Sequence, residues 1–222
     1  MITLDSRSLR FGDCYVQTFP TAGEIRYVVT VPGAFVSPST SRCGAHIISV
    51  KEGSSKSAKP QQHTVLVRKD GPSLVPEPSD LEINVGDMVL WHTQDQSVMG
   101  FAVVGEESKF HLNSMAFTDG AFYTHVFGIP GQVKWIDANG GRLGGVVEVK
   151  NPIVTDAESH ATWLKTLAKP KSFEISGNRV RPEQLSIQMG QTVVWKIEKA
   201  AGISITDVRL VPGAGGKKAK KA

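Results

Sequence analysis

Two short runs far apart in this chain carry one pattern. Leu81-x-Ile83-x-Val85-Gly86-x-x-Val89-x-Trp91 is matched at a single offset by Leu185-x-Ile187-x-Met189-Gly190-x-x-Val193-x-Trp195. Apolar residues at every second position on both sides of a glycine describe two short strands around a turn, with one buried face. A second match joins the front of the chain to its middle. Phe19-Pro20-Thr21-Ala22-Gly23-Glu24-Ile25-Arg26-Tyr27-Val28 parallels Phe127-Gly128-Ile129-Pro130-Gly131-Gln132-Val133-Lys134-Trp135-Ile136. Gly44–Val50 likewise parallels Gly144–Val149 after a gap. Half a sandwich cannot bury its own apolar face and leaves its edge strands open, so each half needs a partner.

Taken in order, residues 1–50 hold strand-like runs at 14–19, 24–29 and 46–50. Residues 51–62, KEGSSKSAKPQQ, are polar and contain Gly, Ser and Pro, the composition of a linker. Strands resume at 63–67, 81–85 and 88–91, with others at 99–104, 122–127, 132–137 and 145–149. One helix is expected over 155–168. Thr155 and Glu158 have capping-box spacing, Trp163, Leu164 and Leu167 give an apolar face, and Pro170 ends it. Strands follow at 172–176, 185–189, 192–197 and 203–210.

The chain thus reads as second half, whole unit, first half. The expected fold is all-β, with two antiparallel Greek-key β-sandwiches and one short helix. The intact sandwich is expected at 63–150. A split, circularly permuted one forms from 1–50 with 171–212, 151–170 is a helical linker, and 213–222 is a basic tail. Two rival arrangements remain: each half completes a neighbouring molecule in a head-to-tail filament, or the chain is one piece of a longer array.

Charge bears on partners through its placement. The chain has 25 Lys and Arg against 21 Asp and Glu, and four of the lysines are Lys217, Lys218, Lys220 and Lys221. Without those four the body is neutral, so the basic character belongs to the tail. Such a tail fits an acidic polymer, either nucleic acid or the acidic tails of a cytoskeletal filament; its alternative is a solvated terminus. The two cysteines, Cys14 and Cys43, are too few for a disulfide framework and lack a CxxC spacing. Reduced thiols are expected, with a bridge or redox pair as the alternatives. No leader and no run of about 20 apolar residues is evident. A cytoplasmic protein with no membrane partner is expected.

The middle unit resembles the cupredoxin family, the plastocyanin-like β-sandwiches. The resemblance rests on Ile83–Trp91, Gly100-Phe101-Ala102-Val103, Gly120–Phe127, Pro130-Gly131-x-x-x-Trp135 and Gly145–Val149, and covers nearly all of 63–150. It implies the sandwich fold and, in the family, electron transfer through one copper held by two histidines, a cysteine and often a methionine. The corresponding positions here are Met99, Asp137, Gly140 and Leu143, which cannot form that site. In the split unit the positions fall in Lys199-Ala200-Ala201-Gly202 and near Val29. No cofactor is therefore expected.

Other candidates are weak as motifs. No pair among His46, His63, His92, His111, His125 and His160 has HxH or HxxxH spacing. Asn139-Gly140-Gly141-Arg142-Leu143-Gly144-Gly145 does not join a strand to a helix, so it reads as a hairpin turn. The expected function is a non-enzymatic structural or adaptor component of a larger assembly. The expected setting is filamentous or microtubule-based, cytoskeletal or axonemal, as in a cilium. Protein partners are expected, with the lysine tail on an acidic polymer. The alternatives are a metal-binding or electron-transfer protein with a remodelled site near Met99, His92 and His125, and a nucleic-acid-associated protein acting through the tail.

Overall fold

The structure, a computed structural model, describes residues 4–34, 45–52, 59–107 and 110–212. Its first strands are β1 (Asp13–Thr18), β2 (Gly23–Thr30), β3 (His46–Lys51), β4 (Gln62–Asp70), β5 (Ser73–Glu77) and β6 (Leu81–Asn84). Next come β7 (Met88–His92), β8 (Ala102–Glu107), β9 (Phe110–Asn113), β10 (Ala121–Val126), β11 (Gly131–Asp137) and β12 (Gly144–Lys150). After helix α1 (Ala157–Leu167) follow β13 (Lys171–Ser176), β14 (Arg179–Arg181), β15 (Gln184–Gln188), β16 (Thr192–Glu198) and β17 (Ile205–Asp207). The all-β fold with one short helix is as expected. Strands β5, β9 and β14 are additions. The run 203–210 gives only β17 and a 3-10 turn at Val208–Leu210.

Three sheets result. One has eight strands in the order β14-β13-β16-β10-β1-β7-β4-β5; the others are β6-β3-β2-β8-β9 and β15-β12-β11-β17. They are mixed rather than purely antiparallel. The pairs β3–β6, β4–β7, β12–β15 and β13–β16 run parallel. Between β4 and β7, and between β13 and β16, the chain crosses to the opposite sheet and returns, which is what a parallel pair requires.

The division of the chain differs from the expected one. The strands of 63–150 do not pair only among themselves, and 1–50 meets 171–212 through the short Asp5–Thr206 contact rather than through β1, β2 or β3. β1 pairs with β7, β2 with β8 and β3 with β6, so the first segment joins the segment that follows it. β11 pairs with β12 and β17, β12 with β15 and β10 with β16, so the strands of a second group run from β10, preceded by its own arm from β9 to Phe117. The physical reason is chain closure. Each half finds a partner in the adjacent segment, a shorter loop than one spanning the whole chain.

The two groups meet where β1 lies antiparallel to β10, with Tyr15 opposite Tyr123. From that pair outward the eight-stranded sheet has the same sequence of elements on either side: first β7, β4, β5 and then β16, β13, β14. Details also correspond. The Gly86 N–H donates to the Phe19 carbonyl at 2.8 Å, and the Gly190 N–H to the Phe127 carbonyl at 2.7 Å. Both glycines hold positive φ, 93° and 88°, where a side chain would be strained.

The junction is reinforced by crossed arms. Leu9 and Phe101 exchange backbone bonds at 2.9 Å within the first group, but three residues earlier the Ser6 N–H donates to Ile205 of the second group at 2.9 Å. In return, Phe117 bonds to Ile203 in the second group, while the Ser114 N–H donates to Val103 of the first at 2.9 Å. The core is continuous across the junction. Rings follow one another from Trp91 to Tyr15 (5.4 Å between centroids), Phe117 (5.5 Å), Tyr123 (5.7 Å) and Trp195 (5.4 Å). All five are fully buried.

Helix α1 is shorter than the predicted 155–168 and is capped differently. Asp156, not Thr155, is the N-cap, and its partner is Ser159, not Glu158. The Asp156 carboxylate accepts from the Ser159 N–H at 2.8 Å, and Ser159 Oγ accepts from the Asp156 N–H at 3.1 Å. A carboxylate one residue nearer the first turn makes the better cap. The helix buries no residue completely; the Trp163 indole N–H donates to the Met189 carbonyl at 3.1 Å. No helix among the described residues is long and apolar enough to cross a membrane.

Candidate functional site at the junction of the two groups

On β1 the inward positions are Asp13, Tyr15 and Gln17, so a carboxylate enters the core where β1 meets β10. Its register partner is His125, and the two side chains are 1% and 2% exposed. Asp13 Oδ1 accepts from the Tyr123 hydroxyl at 2.9 Å and bonds to His125 Nδ1 at 2.6 Å. Asp13 Oδ2 accepts from the Arg10 N–H at 2.9 Å. A buried carboxylate is retained when donors surround it in this way. Burial, reinforced by the charge of Asp13, raises the Tyr123 phenol well above its usual value, so it remains a donor.

The place that mirrors His125 across the junction is occupied by Gln17. The Tyr15 hydroxyl donates to Gln17 Oε1 at 3.0 Å, and the Gln17 amide donates to the carbonyls of Thr18 at 3.1 Å and Asp119 at 3.0 Å. One side of the junction is thus neutral and saturated, and the other carries an ionisable pair. Beside that pair lies a cleft of about 440 Å³ with Leu4, His125, Phe127, Gly128–Gly131, Gln132, Val133, Asp207 and Arg209 around it. On its wall Asp207 accepts from Arg209 Nε at 3.0 Å to both oxygens. Burial pushes the Asp207 carboxyl up, but the Arg209 hydrogen bonds and charge outweigh it and hold the carboxyl below its ordinary value.

Of the four positions that the resemblance sets against copper ligands, Met99 lies apart from the other three. Met99 lies in the first group, 83% exposed. Asp137, Gly140 and Leu143 instead gather with 202–204 of the second group. Asp137 Oδ1 accepts from the N–H groups of Asn139 (3.0 Å) and Ser204 (3.0 Å), and Oδ2 from Gly141 (3.1 Å). Gly141 is a close approach: a Cβ there would sit 2.1 Å from Asp137 Oδ2. A carboxylate organises this loop by its own hydrogen bonds.

The other candidates also separate. His92 and His125 point to opposite faces of the eight-stranded sheet, because His92 aligns with Cys14 while His125 aligns with Asp13. They do not form a site with Met99. His63 bonds to the buried Asp87 at 3.0 Å and braces the turn before β7. His160 is exposed on α1 beside Trp163. Cys14 is a free thiol whose pKa burial raises. Among the described residues no group of three or more His, Cys, Asp or Glu is placed to hold a metal ion. Cys43 and the lysines Lys217, Lys218, Lys220 and Lys221 lie outside the described residues.

A feature not anticipated from the sequence is the outer face of the eight-stranded sheet. Leu66, His92, Cys14, Thr124, Val194 and Ser172 form one register row across six strands and both groups. The next row contains Thr64, Leu90, Val16, Phe122, Lys196 and Glu174. The other two sheets pack on the inner side, and among the described residues no further sheet covers this one. Asp13 and Tyr123 were missed as well. The available signal was an acid at an inward position of an alternating run, since such a charge needs a partner.

No family model matches this chain, and no match was found among curated proteins or solved structures.

Proposed function

We propose that the chain is a non-enzymatic structural or adaptor component of a larger assembly, built from a duplicated, permuted cupredoxin-like sandwich whose metal ligands have been replaced. The single observation that supports this reading is the outer face of the eight-stranded sheet. Leu66, Leu90, Phe122 and Val194 are half-buried on it, flanked by threonines and bordered by Lys196 and Glu174. A broad apolar stripe with a polar rim is the usual composition of a protein-binding surface. The duplication is supported by the paired turns at Gly86 and Gly190 and by the matching order of strands on either side of Tyr15 and Tyr123. The proposed setting is a filamentous or microtubule-based assembly, with the lysines at 217–221 as a tether to an acidic polymer.

The test is a double variant of the face, Leu90→Lys with Phe122→Lys. Both side chains point out of the sheet, so the melting transition should be retained. Affinity purification from the native cell, with cross-linking mass spectrometry, should show the wild type cross-linked through this face. The variant should be depleted at least tenfold from the assembly. A folded variant that still enters it at the wild-type level rejects the reading.

A further inference from the structure

The geometry points to a binding site for a small, mostly apolar molecule carrying one hydroxyl donor, a phenol or aryl alcohol, in the cleft beside His125. This goes beyond the adaptor reading and does not depend on it, since the cleft and the outer sheet face use different residues.

His125 Nδ1 is engaged by Asp13 at 2.6 Å. Asp13 also accepts from Tyr123 and from the Arg10 N–H, an arrangement suited to the ionised carboxylate, which fixes the imidazole proton on Nδ1. In the neutral ring Nε2 is then an acceptor, and among the described residues it has no hydrogen-bond partner. Nε2 keeps contact with solvent through the cleft, so an apolar molecule that displaces that solvent must bring a donor of its own or leave the nitrogen unpaired. A ligand hydroxyl can satisfy it.

The rest of the cleft selects for apolar bulk. Leu4, Phe127, Ile129, Pro130 and Val133 surround the space, and its volume of about 440 Å³ lies in the range of small-molecule pockets. The Phe127 ring stands edge-on to His125, 4.6 Å away and at 77°, and limits how the imidazole can turn. Arg209 is already held bidentately by Asp207, so the wall adds little demand for an anion. The matching place on the other side of the junction has no such acceptor. Gln17 spends its amide on Thr18 and Asp119 and its carbonyl on Tyr15. One site per chain is expected.

The test is a titration of the full chain with p-cresol and, separately, toluene, followed by two-dimensional NMR. The expected result is saturable p-cresol binding that shifts the resonances of His125, Phe127, Ile129 and Val133. Toluene should bind roughly tenfold more weakly, the worth of one hydrogen bond to a buried acceptor. His125→Gln, which places at this position the residue found at its mate, should bring p-cresol down to the affinity of toluene. Ile129 is 54% exposed at the rim, so Ile129→Trp should leave the fold intact while closing the cleft to both probes. Absence of a saturable p-cresol shift, shifts confined to other residues, equal affinity for toluene, or full binding by either folded variant would each overturn the assignment.

Discussion

Ser6 and Ser114 make the same pair of bonds in opposite directions across the molecule. Ser6 Oγ accepts the N–H of Ile205 at 2.8 Å, and Ser114 Oγ accepts the N–H of Val103 at 2.9 Å. Each serine belongs to the arm of one group and closes the edge of the other. Ser6→Ala and Ser114→Ala should therefore each destabilise the protein by ~1–3 kcal/mol, the cost of leaving a buried N–H unpaired. Urea denaturation of the two variants checks this. Both should unfold in one transition, because the aromatic column makes the core continuous. A silent Ser6→Ala would mean the first arm is not docked.

Asp13 should be the most sensitive polar position. Asp13→Ala leaves His125 and Tyr123 buried without their shared acceptor, and a loss of ~3–5 kcal/mol is expected. Asp13→Asn keeps one acceptor oxygen and should cost less. Thermal unfolding of the two variants, compared at one pH, measures the difference. Equal losses would mean that the charge of Asp13 is irrelevant to the junction.

Stability should fall in two stages as the solution is acidified. Burial holds His46 and His92 below the usual value of 6.5, so their folded forms favour the neutral ring. The stability they contribute is complete above pH 6.5 and is lost as the pH drops towards their lower folded values. Asp87 and Asp207 are held below 3.8, so their contribution is complete above that pH and is lost below it. For Asp87 burial pushes the other way, but the backbone donors of Asn84 and Gln61 and the bond to His63 outweigh it. Urea midpoints measured from pH 8 to pH 3 should show both stages. His92→Gln should reduce the first, leaving the share of His46, and leave the second unchanged.

Cys14 should be a slow thiol. Burial raises its pKa and the neighbouring charge of Asp13 adds to this, against a smaller opposing effect of its hydrogen bond with Thr124. In a Cys43→Ser background, labelling with an aromatic disulfide reagent at pH 8 should be at least roughly tenfold slower in the folded protein than in urea, since the thiolate is the reactive form. Equal rates would reject the burial.

Asp137 should act on one loop. Asp137→Ala frees the N–H groups of Asn139, Gly141 and Ser204. It should cost ~2–3 kcal/mol and raise hydrogen exchange at those amides ahead of the rest of the chain. Exchange unchanged at Ser204 would mean that the carboxylate does not tie the two segments together.

Most strands were legible because alternation is a local property. Tyr15, Trp91, Tyr123 and Trp195 announce their faces from their own neighbours, and the matching runs at 81–91 and 185–195 occupy matching strands. The grouping was not legible, because periodicity sets which side of a strand is buried without setting which strand lies beside it. The same strands serve either partition. What separates the two is which strand lies beside β1, β2 and β3, and the short connections to β7, β8 and β6 decide that. The carboxylate at Asp137 was also visible, but its bond to Ser204 depends on a segment more than sixty residues away. The cleft beside His125 was invisible for a similar reason: it needs the glycines of 128–131 and Leu4 from the first arm at once.

The crossed arms also set an order of events during synthesis. The first group presents the edge of β8 before its cover, β9, has been made, and Ser6 emerges long before Ile205 exists. A ribosome delivers the first arm early and its receiving strand nearly last. For most of translation that arm has no native place to go, and the first sandwich is closed only by residues belonging to the second. A nascent chain interrupted within the second group therefore leaves an open strand edge, the kind of surface that chaperones capture and that otherwise templates aggregation.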